Sequence, residues 1–172
     1  MTIQVQTQSQ NTLCVGLDAQ NKQAVRDYWA KWSSLGQADY MLFSSSHLVL
    51  QKCNGSPSQR FIYNATSGAI RWSSDLGMLW SAFGGCPQPS LSLNVYCADD
   101  CGGKRNTNGD VGNCNMKYAH VGKNTYGLIR ASQAKSVCVT VSEVTIGSAL
   151  YLANCPRRGS LDARFRFMFN AN

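Results

Sequence analysis

Eight cysteines in 172 residues are the largest store of reactive side chains in this chain. Thiols can pair as disulfides, ligate a metal or act as nucleophiles. The even count favours disulfides and an oxidising compartment, because two of the pairs recur at matching places in an internal repeat. Zinc is the competing use: Cys97 and Cys101 stand at tolerable ligand spacing, with Cys86 and Cys114 on either side. A count of free thiols under native conditions separates the two. Nucleophilic catalysis lacks its partners, since the two histidines, His47 and His120, lie in no recognisable catalytic phrase. The residues therefore read as a protein that is not an enzyme, with no cofactor and no metal.

The formal net charge is +7, and much of the surplus sits near the C-terminus as Arg157, Arg158, Arg164 and Arg166 against Asp162. Such a balance favours anionic partners, sulfated glycans or acidic membranes among them, although a plain solvated face gives the same composition. Nucleic acid is discounted, because there is no basic helix, no RNP-type phrase and no finger spacing. Asn64-Ala65-Thr66 and Asn54-Gly55-Ser56 are glycosylation sequons, the second weakened by Pro57. No apolar run is long enough for a membrane span.

The elements that must position these residues are short strands. Leu48 to Leu50, Arg60 to Tyr63, Ala69 to Trp72, Leu91 to Tyr96, Tyr126 to Arg130, Ser136 to Val141, Ala149 to Leu152 and Arg164 to Phe169 are β-rich runs bounded by Gly, Asn, Ser or Pro. A weak threefold repeat organises them. Leu13-Cys14-Val15, Leu79-Trp80-Ser81 and Val137-Cys138-Val139 line up, and phrases ending in Cys53, Cys97 and Cys155 follow. The interval from Trp80 to Cys97 equals that from Cys138 to Cys155. Self-similarity of this kind implies one supersecondary unit used three times. Two segments break the rhythm: aromatic-rich Ala24 to Phe43, with helical spacing at Val25, Trp29 and Trp32, and Gly- and Asn-rich Ala98 to Asn113. Residues 1–11 read as a polar N-terminal tail without the pattern of a secretory leader. Residues 12–172 read as one domain, with repeats at about 12–71, 72–130 and 131–172.

Val49-x-x-x-Cys53-Asn54-Gly55, Gln59-x-Phe61 and Gly68-x-Ile70-Arg71 resemble the ricin B-chain type of lectin repeat. A looser similarity, at Gly84-Gly85-Cys86 to Leu91-Ser92-Leu93 and Cys97, is to the cysteine-rich domains of mannose-receptor-like proteins. The resemblance implies an all-β chain folded as a β-trefoil with pseudo-threefold symmetry, disulfide-stabilised, with loop insertions in repeats one and two. It implies that Phe61, Tyr118 and Phe165 share one core layer. By the same analogy Cys14 pairs with Cys53 and Cys138 with Cys155, while Trp80 takes the missing cysteine's place. Cys86, Cys97, Cys101 and Cys114 then allow three connectivities, of which Cys86–Cys97 with Cys101–Cys114 is favoured.

Sugar sites in that family place an Asp two residues after the first cysteine, a stacking aromatic two before the second, and an amide near the Gln-x-Trp. Here the first position holds Gly16, Ala82 and Thr140, and the second Gln51, Val95 and Ala153. The third keeps Gln59 and Asn115, with Asp162 and Ala163 in the last repeat. The sites are degenerate, or rebuilt with Asp18 supplying the carboxylate and Trp29 or Trp32 the platform. Asp18, Trp29, Trp32, Gln51, Gln59 and Asn115 are the candidate carbohydrate-binding residues. The expectation is a secreted or extracellular lectin-like module whose partners are glycans or glycoproteins, sulfated ones included. The alternatives are a structural or protein-interaction trefoil that has lost sugar binding, and a protease inhibitor presenting Lys104-Arg105.

Overall fold

The computed structural model describes residues 1–6, 11–18, 48–82, 89–90, 93–97, 118–120, 122–131, 134–158, 160 and 162–170, with backbone alone for 75, 77–78, 81–82 and 94–97. The described residues are all-β. The strands are β1 (Thr2–Gln6), β2 (Thr12–Leu17), β3 (Leu48–Lys52), β4 (Phe61–Asn64), β5 (Ala69–Trp72), β6 (Asp75–Ala82) and β7 (Leu93–Cys97). They continue as β8 (Tyr118–Ala119), β9 (Tyr126–Gly127), β10 (Arg130–Ala131), β11 (Val137–Val141), β12 (Leu150–Asn154) and β13 (Phe167–Asn170). Two single turns of 3-10 helix, Pro57–Gln59 and Ala163–Phe165, precede β4 and β13.

The strands form three antiparallel sheets, ordered β3-β2-β1-β13-β9, β7-β6-β5-β4 and β12-β11-β10-β8. One arrangement recurs in each. Three consecutive strands lie side by side, and an earlier strand, β4 or β8, or for the first sheet the last strand β13, joins the open edge, with β9 adding beyond β13. Chain connectivity thus links the sheets into a ring: β13 joins β1, β4 joins β5 and β8 joins β10. The β11–β12 turn docks on β3 through Leu50 N–H to Ser148 O at 2.9 Å and Gly147 N–H to Leu50 O at 2.8 Å.

Alternation with period two decides which side chains face inward. Val15, Leu17, Leu48, Leu50, Val139, Val141, Leu150 and Leu152 are buried, as are Trp80 and Leu93 in the middle sheet. At the centre the rings of Phe61 and Tyr118 meet Trp80 edge-on, with centroids 5.4 and 6.0 Å away. Burying each such ring contributes roughly 1.5–3 kcal/mol. Trp80 Nε1 and Tyr118 Oη are buried without a hydrogen-bond partner, and burial pushes the Tyr118 phenol far above its ordinary value.

Three expectations are corrected. The polar tail begins as a core strand: β1 sits between β13 and β2, and Ile3 and Val5 are fully buried. Average polarity hides Thr2-Ile3-Gln4-Val5-Gln6, whose alternation is what an inward-facing strand needs. Phe165 is half-buried and ends the second 3-10 turn, so it is not in the central layer. That place belongs to Phe167, which pairs with Val5 as Phe61 pairs with Trp72 and Tyr118 with Ala131. Residues 163–165 spend themselves turning the chain, as Pro57–Gln59 does before Phe61. Finally, Trp80 does not stand where the cysteines stand. It pairs with Val95 as Val15 pairs with Leu50 and Val139 with Leu152, and Leu79 takes the cysteine's register position. An irregularity between Arg71 and Trp72 shifts the middle sheet by one residue against the sequence alignment.

Candidate functional site

Three rows of four residues cross the sheets on the face turned away from the core. They are Met168–Gln4–Cys14–Gln51, Ile62–Arg71–Leu79–Tyr96 and Ala119–Arg130–Cys138–Ala153. Matched positions make the chemistry of the three units directly comparable. Disulfides Cys14–Cys53 and Cys138–Cys155 close the first and third hairpins, each with Cα atoms 4.9 Å apart. Pairing of the other four cysteines lies outside the described residues.

In the first unit the polar groups are consumed within the chain. Gln51 Nε2 donates to Leu17 O at 2.9 Å, and its Oε1 accepts from Gln59 Nε2 at 3.2 Å. Gln59 Nε2 also donates to Lys52 O at 2.8 Å, and Gln59 Oε1 accepts from Asn54 N–H at 3.0 Å. Gln59 is fully buried, so it braces the turn and presents nothing to a ligand. The Gln51 amide lies directly over Gly16, where an added Cβ would come within 2.7 Å of Gln51 Cδ. Only glycine leaves room for it. Asp18 is exposed just past β2, beside the carbonyl that Gln51 engages. Trp29, Trp32 and Asn115 lie outside the described residues.

The third unit is closed differently. Thr140 is buried, and its Oγ1 donates toward Arg164 O at 3.1 Å and Val141 O at 3.3 Å. That bond ties the second 3-10 turn to β11. Asp162 caps the turn, its Oδ1 accepting from Arg164 N–H at 3.0 Å, and its carboxylate meets the Arg164 guanidinium at 2.7 Å. The guanidinium holds Asp162 below the usual carboxylate range, against a smaller opposing effect of burial.

The middle unit carries what the sequence reading missed. Tyr96, not Val95, is level with Gln51 and Ala153, and Ser81 and Asn94 face each other where Gly16 pairs Val49 and Thr140 pairs Tyr151. Alternation in Leu93-Asn94-Val95-Tyr96 was the available signal: Asn94 and Tyr96 share one face and Leu93 and Val95 the other. Elsewhere, half-buried His120 stacks on Phe169 with centroids 4.1 Å apart, its Nε2 lying 2.8 Å from Phe167 O. Burial lowers its pKa against the opposing effect of its backbone hydrogen bonds, and Gly122 N–H lies 3.3 Å from its Nδ1, so the ring braces β13. Among the described residues no group of three or more His, Cys, Asp or Glu could hold a metal, and no helix is long and apolar enough to cross a membrane.

No family model matches this chain, and no curated protein matches it in sequence. Two of the solved structures that share its fold illustrate the likeness. One, titled as the structure and mode of action of a mosquitocidal holotoxin, superposes with a TM-score of 0.56 at 12% identity, over 98% of this chain and 17% of that one. The other, the solution structure of an mdaA-1 domain, gives 0.58 at 15% identity, over 98% of this chain and 90% of that one. This chain therefore spans a small part of the holotoxin and nearly the whole of the second domain, and what it shares with both is an all-β fold, here closed by disulfides.

Proposed function

We propose that this chain is a non-catalytic carbohydrate-binding module on a β-trefoil of the ricin B type, working outside the cell. The recurring sheet order and the placement of both disulfides support the trefoil reading, and disulfide use accords with an oxidising compartment. Sugar recognition rests with the middle unit. The observation that supports this is the register of β6 and β7, in which Tyr96 is level with the position where the family resemblance calls for a ring and Ser81, paired with Asn94, is level with the one where it calls for an Asp. Matching positions in the first and third units are taken up by Gln51 over Gly16 and by Thr140 bound to Arg164 O. A module that forms 17% of a longer toxin, as the matched segment does in the holotoxin, accords with a binding part joined to other activities.

A second reading is a trefoil that has lost sugar binding and contacts proteins; the internally satisfied Gln51–Gln59 pair favours it. A glycan array at low and physiological salt, run with wild type, Tyr96→Ala, Trp29→Ala and Trp32→Ala, separates them. Salt-resistant binding to a neutral sugar, lost in Tyr96→Ala, is the expected result. Loss only in the tryptophan variants would move the site to the Ala24–Phe43 insertion, and no binding to any neutral glycan would leave the protein-contact reading.

A further inference from the structure

The third unit's outward row is unlike the other two. Ala119 and Ala153 are small, and Arg130 stands exposed between Ala119 and the Cys138–Cys155 bridge. Further cations gather at the same end of the β11–β12 hairpin. Arg130 Nη1 donates to Lys135 O at 3.2 Å, which brings the two residues together. Cys155 N–H donates to Ser136 O at 2.7 Å, so the chain leaving β12 passes Lys135 and runs directly into exposed Arg157 and Arg158. A turn closed by Ser160 N–H to Arg157 O at 3.0 Å fixes that pair. Of the described acids in this repeat, Asp162 is engaged by Arg164 and Glu143 lies on the turn at the opposite end of the hairpin.

We propose that this end of the β11–β12 hairpin, formed by Arg130, Lys135, Arg157 and Arg158 around the Cys138–Cys155 bridge, binds a sulfated glycan. Guanidinium groups present a planar fork that matches sulfate oxygens two at a time, and three of the four cations are arginines. Other polyanions fit less well. Single-stranded nucleic acid calls for exposed rings on which bases stack, and the cluster contains none. A membrane surface calls for apolar anchors, but among the described residues the exposed large hydrophobics are Ile62, Leu76 and Ile146, on β4, β6 and the far turn of the hairpin. The site is separate from the neutral-sugar face at Tyr96 and does not rest on it.

A heparin-derived oligosaccharide and its desulfated counterpart, titrated calorimetrically at two salt concentrations, test this. The expected result is binding of the sulfated form alone, weakening as salt rises. Affinity should fall by about tenfold or more in Arg157→Ala/Arg158→Ala and in Arg130→Ala/Lys135→Ala, each removing two charge-assisted contacts. The control Lys52→Ala/Lys123→Ala, which removes the same charge elsewhere, and Tyr96→Ala should both bind as wild type does. Equal loss in the lysine control would show a diffuse charge effect and overturn the site. So would full retention in both cluster variants, or tighter binding of a single-stranded oligonucleotide through the same residues. All these side chains except that of Tyr96 are described as exposed, and matching thermal melts confirm that each variant folds.

Discussion

Hairpins β2–β3 and β6–β7 run in one register yet are held by different means. In the first, Cys14 and Cys53 are joined covalently, and the inward position beside Cys14 carries a modest Val15. In the second, Leu79 stands in the cysteine's place, and the neighbouring inward position carries Trp80, which fills the centre of the core against Phe61 and Tyr118. The first hairpin is bridged between its own strands, and the second gains packed aromatic volume at its centre. Their outward faces differ in parallel: the first is covered by Gln51 lying on Gly16, whereas the second sets Tyr96 at the equivalent place. A frame repeated in the chain can thus be stabilised locally in different ways, which frees one copy of its face for another use.

The sharpest way to break this comparison is to truncate the two residues whose roles were exchanged. Trp80→Ala should cost about 3–5 kcal/mol in denaturant unfolding and Leu79→Ala about 1 kcal/mol; the reverse order would restore the sequence alignment. Phe167→Ala against Phe165→Ala should show the same contrast. Next come the bridges. Replacing Cys14 and Cys53, separated by 39 residues, with serine should cost about 4 kcal/mol, and replacing Cys138 and Cys155, separated by 17, about 3 kcal/mol. Gly16→Ala displaces the Gln51 amide and should cost about 1–2 kcal/mol, a loss that Gln51→Ala in the same chain should largely absorb. The smallest effect concerns the caps of the 3-10 turns, since Asp162 caps the second and no side chain caps the first. The folded carboxyl of Asp162 has a lowered pKa, so its contribution is complete above the ordinary carboxylate value and is lost as pH falls through the lowered one. Acid titration of wild type against Asp162→Asn should reveal less than about 1 kcal/mol there.

Legibility in the sequence followed the strength of local patterns. The pairs Cys14–Cys53 and Cys138–Cys155 followed from the resemblance to the lectin repeat, and strands such as Val137–Val141 from their β-branched runs. Thr2–Gln6 was not, because three polar residues outweigh Ile3 and Val5 when averaged, and only the alternation betrays its burial. Phe165 was misplaced because no glutamine marks the phrase in the third repeat, where Ala163-Arg164-Phe165 and Phe165-Arg166-Phe167 both fit its aromatic. Tyr96 escaped notice because aligning Trp80 with Cys14 hid a one-residue shift that arises in strand pairing at Arg71 and Trp72. The closing of the first unit's face by Gln51 depends on where a flexible amide lies, and composition does not encode that.

The central claim is that the middle hairpin's face takes a neutral sugar while the other two are closed by the chain itself. Backbone amide NMR during titration with galactose and the other neutral sugars of the array tests it most directly. The account predicts shifts at Leu79, Ser81, Asn94 and Tyr96 with Gly16, Gln51, Gln59 and Thr140 unmoved. Shifts centred on Gly16, Gln51 and Gln59, with the β6–β7 amides still, would contradict it.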